Sequence, residues 1–245
     1  MQGSAGTLRL LTLNMHKGRA AWNRRHVLAE LREAVRSTGA DIVCLQEVIG
    51  ESAAASGPAE ARPHYEYLAD ELWPQYAYGR NAVHPAGHHG NALLSRWPIV
   101  QWQNHDVSQP DSEPRGLLHC TVAVEADWPL HVVCVHLGLR EAHRRAQARR
   151  LLELSAALPA SEPLLVAGDF NDWRRRLDPI LCTGFESAFA GVCDGCPRTF
   201  PARLPLLPLD RVYLRGLRLQ SACVLSARPW PHLSDHLPLL IEAAR

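Results

Sequence analysis

Two polar side chains, Asp169 and Asn171, close the apolar run at residues 163–167 within Gly168-Asp169-Phe170-Asn171-Asp172. In extended backbone, residues two apart point the same way, so this spacing predicts a carboxylate and an amide aimed at one target. Four further apolar segments end alike: residues 8–13 run into Asn14, 42–46 into Glu47, 131–135 into His136, and Leu209 into Asp210. Near the C-terminus Ser234-Asp235-His236 precedes another strand-like run at 237–241. A buried strand has little reason to end on a charge or an imidazole unless that end opens into a cleft.

The side chains so gathered suit one kind of chemistry. Glu47, Asp169, Asp210 and Asp235 are hard oxygen donors, and Asn14 and Asn171 supply neutral carbonyl oxygens. Such a set fits Mg²⁺, or Mn²⁺, which take a few carboxylates and keep waters for substrate oxygens. Carboxylates clustered without a cation would repel until some protonated, so their convergence predicts a bound divalent ion. His136 and His236 would stand beside it, and an imidazole held by a carboxylate is a base for neutral pH. Hydrolysis of a phosphate ester by in-line attack of an activated water uses all of these parts.

The elements that must position them follow from periodicity. Residues 8–13, 42–46, 76–80, 91–94, 99–105, 116–124, 130–135, 163–168, 212–214, 217–225 and 239–243 read as strands, separated by turns bearing Pro or Gly. Helical spacing of Val27, Leu28, Leu31, Ala34 and Val35 predicts a helix capped by Asn23 and stopped at Gly39. A short helix is expected over 64–73, a longer one over 141–158, and a helix or turn over 172–181. Residues 49–63, rich in Ala, Ser, Gly and Pro, read as a loop at the rim of the site. Short strands, hairpins and interleaved helices predict two packed sheets covered by helices, and argue against a purely parallel sheet. Neither a dinucleotide fingerprint nor a P-loop is found.

At 245 residues, one domain over 1–245 is expected. A hydrophobic content of 47% and a net charge of +1 describe a globule without a global cationic coat. No segment reads as a membrane span or export signal, so a cytoplasmic location and no obligate protein partner are expected. Cys44, Cys120 and Cys134 fall in strands as small core hydrophobes. The lone Cys193-x-x-Cys196 lacks the second pair that structural zinc would need.

Taken in order, Leu11-Thr12-Leu13-Asn14, Leu45-Gln46-Glu47-Val48, Val135-His136-Leu137, Gly168-Asp169-Phe170-Asn171, Leu209-Asp210-Arg211-Val212 and Ser234-Asp235-His236-Leu237-Pro238 resemble the motifs of the endonuclease/exonuclease/phosphatase, or DNase I-like, superfamily. Taken singly, each motif has a plain reading as a turn, cap or surface pair, but their shared order does not. The resemblance runs from about residue 8 to 243. It implies a four-layer α/β/β/α sandwich of two mixed sheets flanked by helices, with the site at one sheet edge. It further implies Glu47 as the main metal ligand with Asn14 and Asp235 supporting. Asp169 would orient the attacking water and Asn171 would bind the scissile phosphate. His236, paired with Asp210, would be the general base or a stabilising imidazolium, and His136 would hold a phosphate oxygen or serve the leaving group.

Substrate is less legible. His136 stands where the exonuclease III-type branch carries Asn, and Ile49-Gly50 replaces the minor-groove arginine of DNase I, so neither is closely resembled. A nuclease acting on DNA is the leading expectation. Arg174, Arg175 and Arg176 follow Asn171, and Arg140, Arg144, Arg145, Arg149 and Arg150 follow His136, where they could grip a polyanion. His88-His89 could line the phosphate cleft or form a glycine-rich turn. Asn91 opens a strand as in relatives and is a candidate phosphate contact, and Lys17 is a weaker one. The alternative is a phospholipid or small-molecule phosphodiesterase or phosphatase, sphingomyelinase-like or inositol-phosphatase-like, for which Trp22, Trp97, Trp102 and Trp230 could serve as interfacial side chains. A non-catalytic binding module is a third reading, disfavoured because every catalytic-type position is filled. His64, His84, His105, His119, His143 and His232 read as ordinary.

Overall fold

A computed structural model of the chain describes residues 6–20, 25–52, 62–69, 73–125, 128–191 and 196–245. The elements are β1 Thr7–Asn14, α1 Leu28–Ser37, β2 Ile42–Ser52, α2 His64–Leu68, β3 Gln75–His84, β4 Gly87–Ser95, β5 Ile99–Asp106, β6 Gly116–Glu125, β7 Trp128–His136, α3 Glu141–Ala157, β8 Leu164–Asp169, α4 Asp178–Leu181, β9 Glu186–Ser187, β10 Asp210–Arg215, β11 Arg218–Val224 and β12 Leu239–Ala244. They build two six-stranded sheets, ordered β11-β12-β1-β2-β4-β3 and β5-β6-β7-β8-β10-β9. β1 with β2 and β7 with β8 run parallel, while the other pairs are antiparallel, so both sheets are mixed.

Alternation along each strand sorts side chains into three apolar layers. Leu8, Leu10, Ile42 and Cys44 from the first sheet meet Cys120, Val132, Leu165 and Val212 from the second. The opposite faces carry Leu11, Leu13, Val43 and Leu45 against Leu28 and Leu31 of α1. On the far side Val133, Val135 and Val166 pack against Ala148 and Leu151 of α3. Helix, sheet, sheet and helix are therefore stacked in four layers, as the motif order implied. Close strand approach requires glycine at one point of consequence: Gly168 has φ +146, and a Cβ there would meet the Val135 carbonyl oxygen at 2.0 Å.

Several boundaries differ from expectation. The first helix begins at Leu28, after Val27, and the expected cap Asn23 lies outside the described residues. The second stops at Leu68, where Ala69 turns extended. Residues 49–52, expected as loop, continue β2 because they pair with β4, and 53–61 lie outside the described residues. The buried stripe of α3 is Arg144, Gln147, Ala148, Leu151 and Ser155, at helical spacing but polar at three positions. Cys44, Cys120 and Cys134 are buried in the inter-sheet core, while Cys193 lies outside the described residues. Trp230 is buried and Trp97 packs on the core, leaving Trp102 exposed; Trp22 lies outside the described residues.

Candidate active site

The same alternation that fills the inter-sheet core delivers polar groups to its edge. On β1 the inward series Leu8, Leu10 continues through Thr12 to Asn14. On β7, Val132 and Cys134 lead to His136; on β8, Leu165 and Ala167 lead to Asp169. β10 enters with Asp210 and continues inward through Val212 and Leu214. Strand register sets His136 beside Asp169 and Asp210 beside Asp169, three side chains in a row across one sheet edge. Asn14 arrives from the other sheet and donates from Nδ2 to Asp169 Oδ2 at 3.1 Å.

His236 comes from the turn before β12. The Ser234 hydroxyl donates to the Asn14 carbonyl at 2.6 Å and accepts the His236 amide at 3.2 Å, which fixes the turn against β1. His236 Nδ1 lies 2.8 Å from Asp210 Oδ2, and its Nε2 is 3.9 Å from Asp169 Oδ2. His136 Nε2 approaches the same Asp169 oxygen at 3.5 Å. All of these side chains are buried.

Glu47 reaches the site by a different route. Simple alternation would point it with Leu45 toward α1, but the β2–β4 register shifts between Leu45 and Val48, and Glu47 has φ +56. This bulge redirects its carboxylate to within 3.3 Å of Asn14 Nδ2. Asp235 is half-buried, with Oδ1 3.9 Å from His16 Nδ1, and the His16 amide donates to Asn14 Oδ1 at 3.1 Å. Beside this group His16, Lys17, Arg19 and Ile49 line a cavity of about 300 Å³ that carries positive charge, so Lys17 faces the cleft.

Other expected contacts sit elsewhere. Asn171 does not project from an extended strand: β8 ends at Asp169, and Asn171 has φ +52. Its amide N–H donates to Asp169 Oδ1 at 2.8 Å and its side chain to the Leu137 carbonyl at 2.9 Å. A turn, not strand alternation, therefore holds it next to Asp169. Asn91 is fully buried beneath the cleft, and donates to the carbonyls of Gly116 and Cys134 at 3.1 and 3.3 Å. It ties β4 to β6 and β7 across the sheets and does not line the cleft. Arg174 is exposed, while Arg175 is partly spent on Asp178 at 3.1 Å. Arg144 is buried on the carbonyls of Gly138 and Leu139, with its guanidinium 4.7 Å from the Trp173 ring.

Three contributors were not singled out from sequence. Ser234 positions the His236 turn, and Gln46 bridges the sheets by donating to Thr12 and Cys134. Trp173, 41% exposed, stands two residues past Asn171. Ser234 could have been found as the hydroxyl of a Ser-x-His turn; the roles of Gln46 and Trp173 depend on long-range contacts.

Burial and charge push the ionisable groups apart. Burial, then the Arg115 and His236 charges, hold His136 well below the usual imidazole range, so it is neutral. Burial opposes charge on His236 too, but Asp210, then Asp169 and Asp235, overcome it and hold the imidazolium. Burial pushes the Asp169 carboxyl up, with Asp210 adding to the rise and His236 opposing it.

The donor chemistry fits a divalent ion. Asp169, Asp210 and His236 offer donor atoms within 4.8 Å of one another, and Asp210 Oδ1 is buried without a protein partner. Asn14 links this buried trio to Glu47, which is more open. A hard cation that keeps its waters suits the more open carboxylates of Glu47 and Asp235 better than the dry imidazole side. Asn14, expected to lend an oxygen, instead turns Nδ2 toward Glu47 and Asp169 and Oδ1 to the His16 amide.

Residues 11–236 match the endonuclease/exonuclease/phosphatase family. The uncharacterized protein YbhP of Escherichia coli (strain K12) is 50% identical over 242 residues, covering 96% of each chain. An endonuclease/exonuclease/phosphatase from Beutenbergia cavernae DSM 12333 superposes with a TM-score of 0.81 at 22% identity, over 98% of this chain and 72% of that one. The D. rerio TDP2 complexed with single strand DNA product gives a TM-score of 0.72 at 16% identity, over 98% and 99%. With its motifs in order, its two mixed sheets and a match spanning most of its length, this chain belongs to the endonuclease/exonuclease/phosphatase family.

Proposed function

We propose that this protein is a divalent-metal-dependent phosphodiester hydrolase acting on nucleic acid, with DNA the simplest substrate. Its family hydrolyses phosphoester bonds and generally depends on a divalent metal. The observation that carries the reading is the opposed state of two imidazoles around one carboxylate: neutral His136 and charged His236 both approach Asp169 Oδ2. Two titratable groups pushed apart by their surroundings mark an acid–base site.

In this reading Asp169 orients the attacking water and receives its proton, since its raised affinity for a proton suits a base. His236, already protonated, steadies the negative charge that develops on phosphorus oxygens, and Asp210 holds its ring. His136, as a neutral imidazole, donates to a phosphate oxygen. Asn171 has one amide proton left to offer the scissile phosphate. Glu47 and Asp235 would hold Mg²⁺ or Mn²⁺, with Asn14 supporting the Glu47 carboxylate through its amide, and the ion's chemistry is to neutralise phosphate oxygens and polarise the P–O bond. Trp173 beside Arg174 offers a stacking face and a cation, a pairing used to follow single strands.

A second reading rests on a separate observation. Among the described residues the exposed large hydrophobics include Leu139, Trp173, Leu204 and Leu206, all on segments flanking His136, Asn171 or Asp210. Exposed apolar side chains on segments that lead into the site favour an amphipathic substrate such as a phospholipid. One experiment separates the readings: purified protein with Mg²⁺ or Mn²⁺, offered plasmid, single-stranded DNA, RNA, a bis-aryl phosphate and phosphatidylcholine vesicles side by side. Turnover of DNA, abolished by EDTA, is expected. Vesicle hydrolysis with inert DNA would favour the second reading, and no turnover of any substrate would leave a binding module.

A further inference from the structure

We propose that His84, His89 and Glu113 form a second cation site, of the zinc class, that ties the β3–β4 hairpin to the segment leading into β6. In that hairpin Ala82 pairs with His89 and His84 with Gly87. His84 lies two residues beyond Ala82, so both imidazoles stand on one face of the ribbon. Their rings stack with centroids 5.5 Å apart. Glu113 comes from the segment between β5 and β6, in the other sheet, and its Oε1 lies 3.0 Å from His89 Nε2. One donor atom from each of the three falls within 4.8 Å of the others.

Two imidazoles and one carboxylate are a borderline-soft set, unlike the all-oxygen donors around Glu47, and with an open position they suit Zn²⁺. The carboxylate is already oriented: Arg115 Nη1 holds Glu113 Oε2 at 2.5 Å, which leaves Oε1 toward the imidazoles. Hydrogen-bonded partners of this kind are how ligating carboxylates are normally held. The open position has somewhere to face, because His84 and His89 also line a cavity of about 140 Å³ with Lys17, Glu51 and His88. An ion there would be a staple between sheets at the rim of the cleft, distinct from the magnesium-type site.

The test needs no activity assay. EDTA-stripped protein is placed in excess Mg²⁺, which favours oxygen sites, and titrated with Zn²⁺ against a chromophoric chelator. The proposal expects one tightly held equivalent, a rise in Tm of about 5 °C or more at a hundredfold excess over Kd, and intense visible bands on Co²⁺ substitution from a site of low coordination number. His84 is exposed, so His84→Ala should leave Tm in EDTA unchanged. It should weaken Zn²⁺ at least about a hundredfold, as loss of a direct ligand should exceed loss of an orienting partner. Glu47→Gln should leave the Zn²⁺ equivalent in place. No zinc retained under Mg²⁺, equal affinity in His84→Ala, or loss of zinc in Glu47→Gln would each overturn the proposal.

Discussion

Asp210 touches His236 with one carboxylate oxygen and buries the other without a protein partner. The pair explains why an imidazole so buried stays protonated: the neighbouring carboxylates supply what water no longer does. Replacing Asp210 with Asn keeps the shape and removes the charge, so the proposed role of His236 should fail with little change in packing. Asp210→Asn and His236→Ala are each expected to lower kcat by about a hundredfold or more under saturating Mg²⁺. Their product should be no worse than the poorer single variant, because the two act as one unit. A kcat within threefold of the parent for either variant would remove that pair from the reaction.

Strands set most of this geometry, and one also carries a separate titration. His105 on β5, His119 on β6 and His131 on β7 sit in adjacent strands; His119 Nε2 is 2.9 Å from His131 Nδ1, and His131 Nε2 is 2.6 Å from Glu162. Burial, then the charges of His131 and His105, lowers His119 to about 4. The folded chain therefore keeps His119 neutral where the unfolded chain, near 6.5, accepts a proton. Its contribution to stability is full above about pH 6.5 and is lost as pH falls toward 4. Thermal unfolding followed from pH 7.5 to 4.5 should show His119→Gln losing less Tm than the parent across that window. Parallel curves would mean that other groups carry the acid sensitivity.

For the whole molecule, a net charge of +1 places no general pull on a polyanion, so any nucleic-acid affinity must come from local groups. Of the arginines that follow His136 and Asn171, Arg144 is buried and Arg175 is tied to Asp178, which makes the exposed Arg174 the better phosphate contact of the three. Fluorescence anisotropy with a single-stranded oligonucleotide should show Arg174→Ala reducing the salt slope by about one, and Trp173→Ala costing about 1–3 kcal/mol. An unchanged slope would detach Arg174 from the phosphate path. At this scale the described residues include no helix long and apolar enough to cross a membrane.

Local pattern in the sequence determined the strand ends that carry Asn14, His136 and Asp169, because alternation of side chains is a property of each strand alone. Asp210, read as closing an apolar segment, instead opens β10. The family resemblance carried by those motifs in order implied the sandwich. Pairing between distant strands decided the rest. Only the β2–β4 register shift turns Glu47 inward, only the turn after β8 seats Asn171, and only the inter-sheet core shows Asn91 as a tie in place of a ligand. His84 looked ordinary and His89 read as cleft lining or turn, because Glu113, which joins them, arrives from the other sheet. A side chain's direction is written nearby in the chain, but its partners are chosen by packing across it.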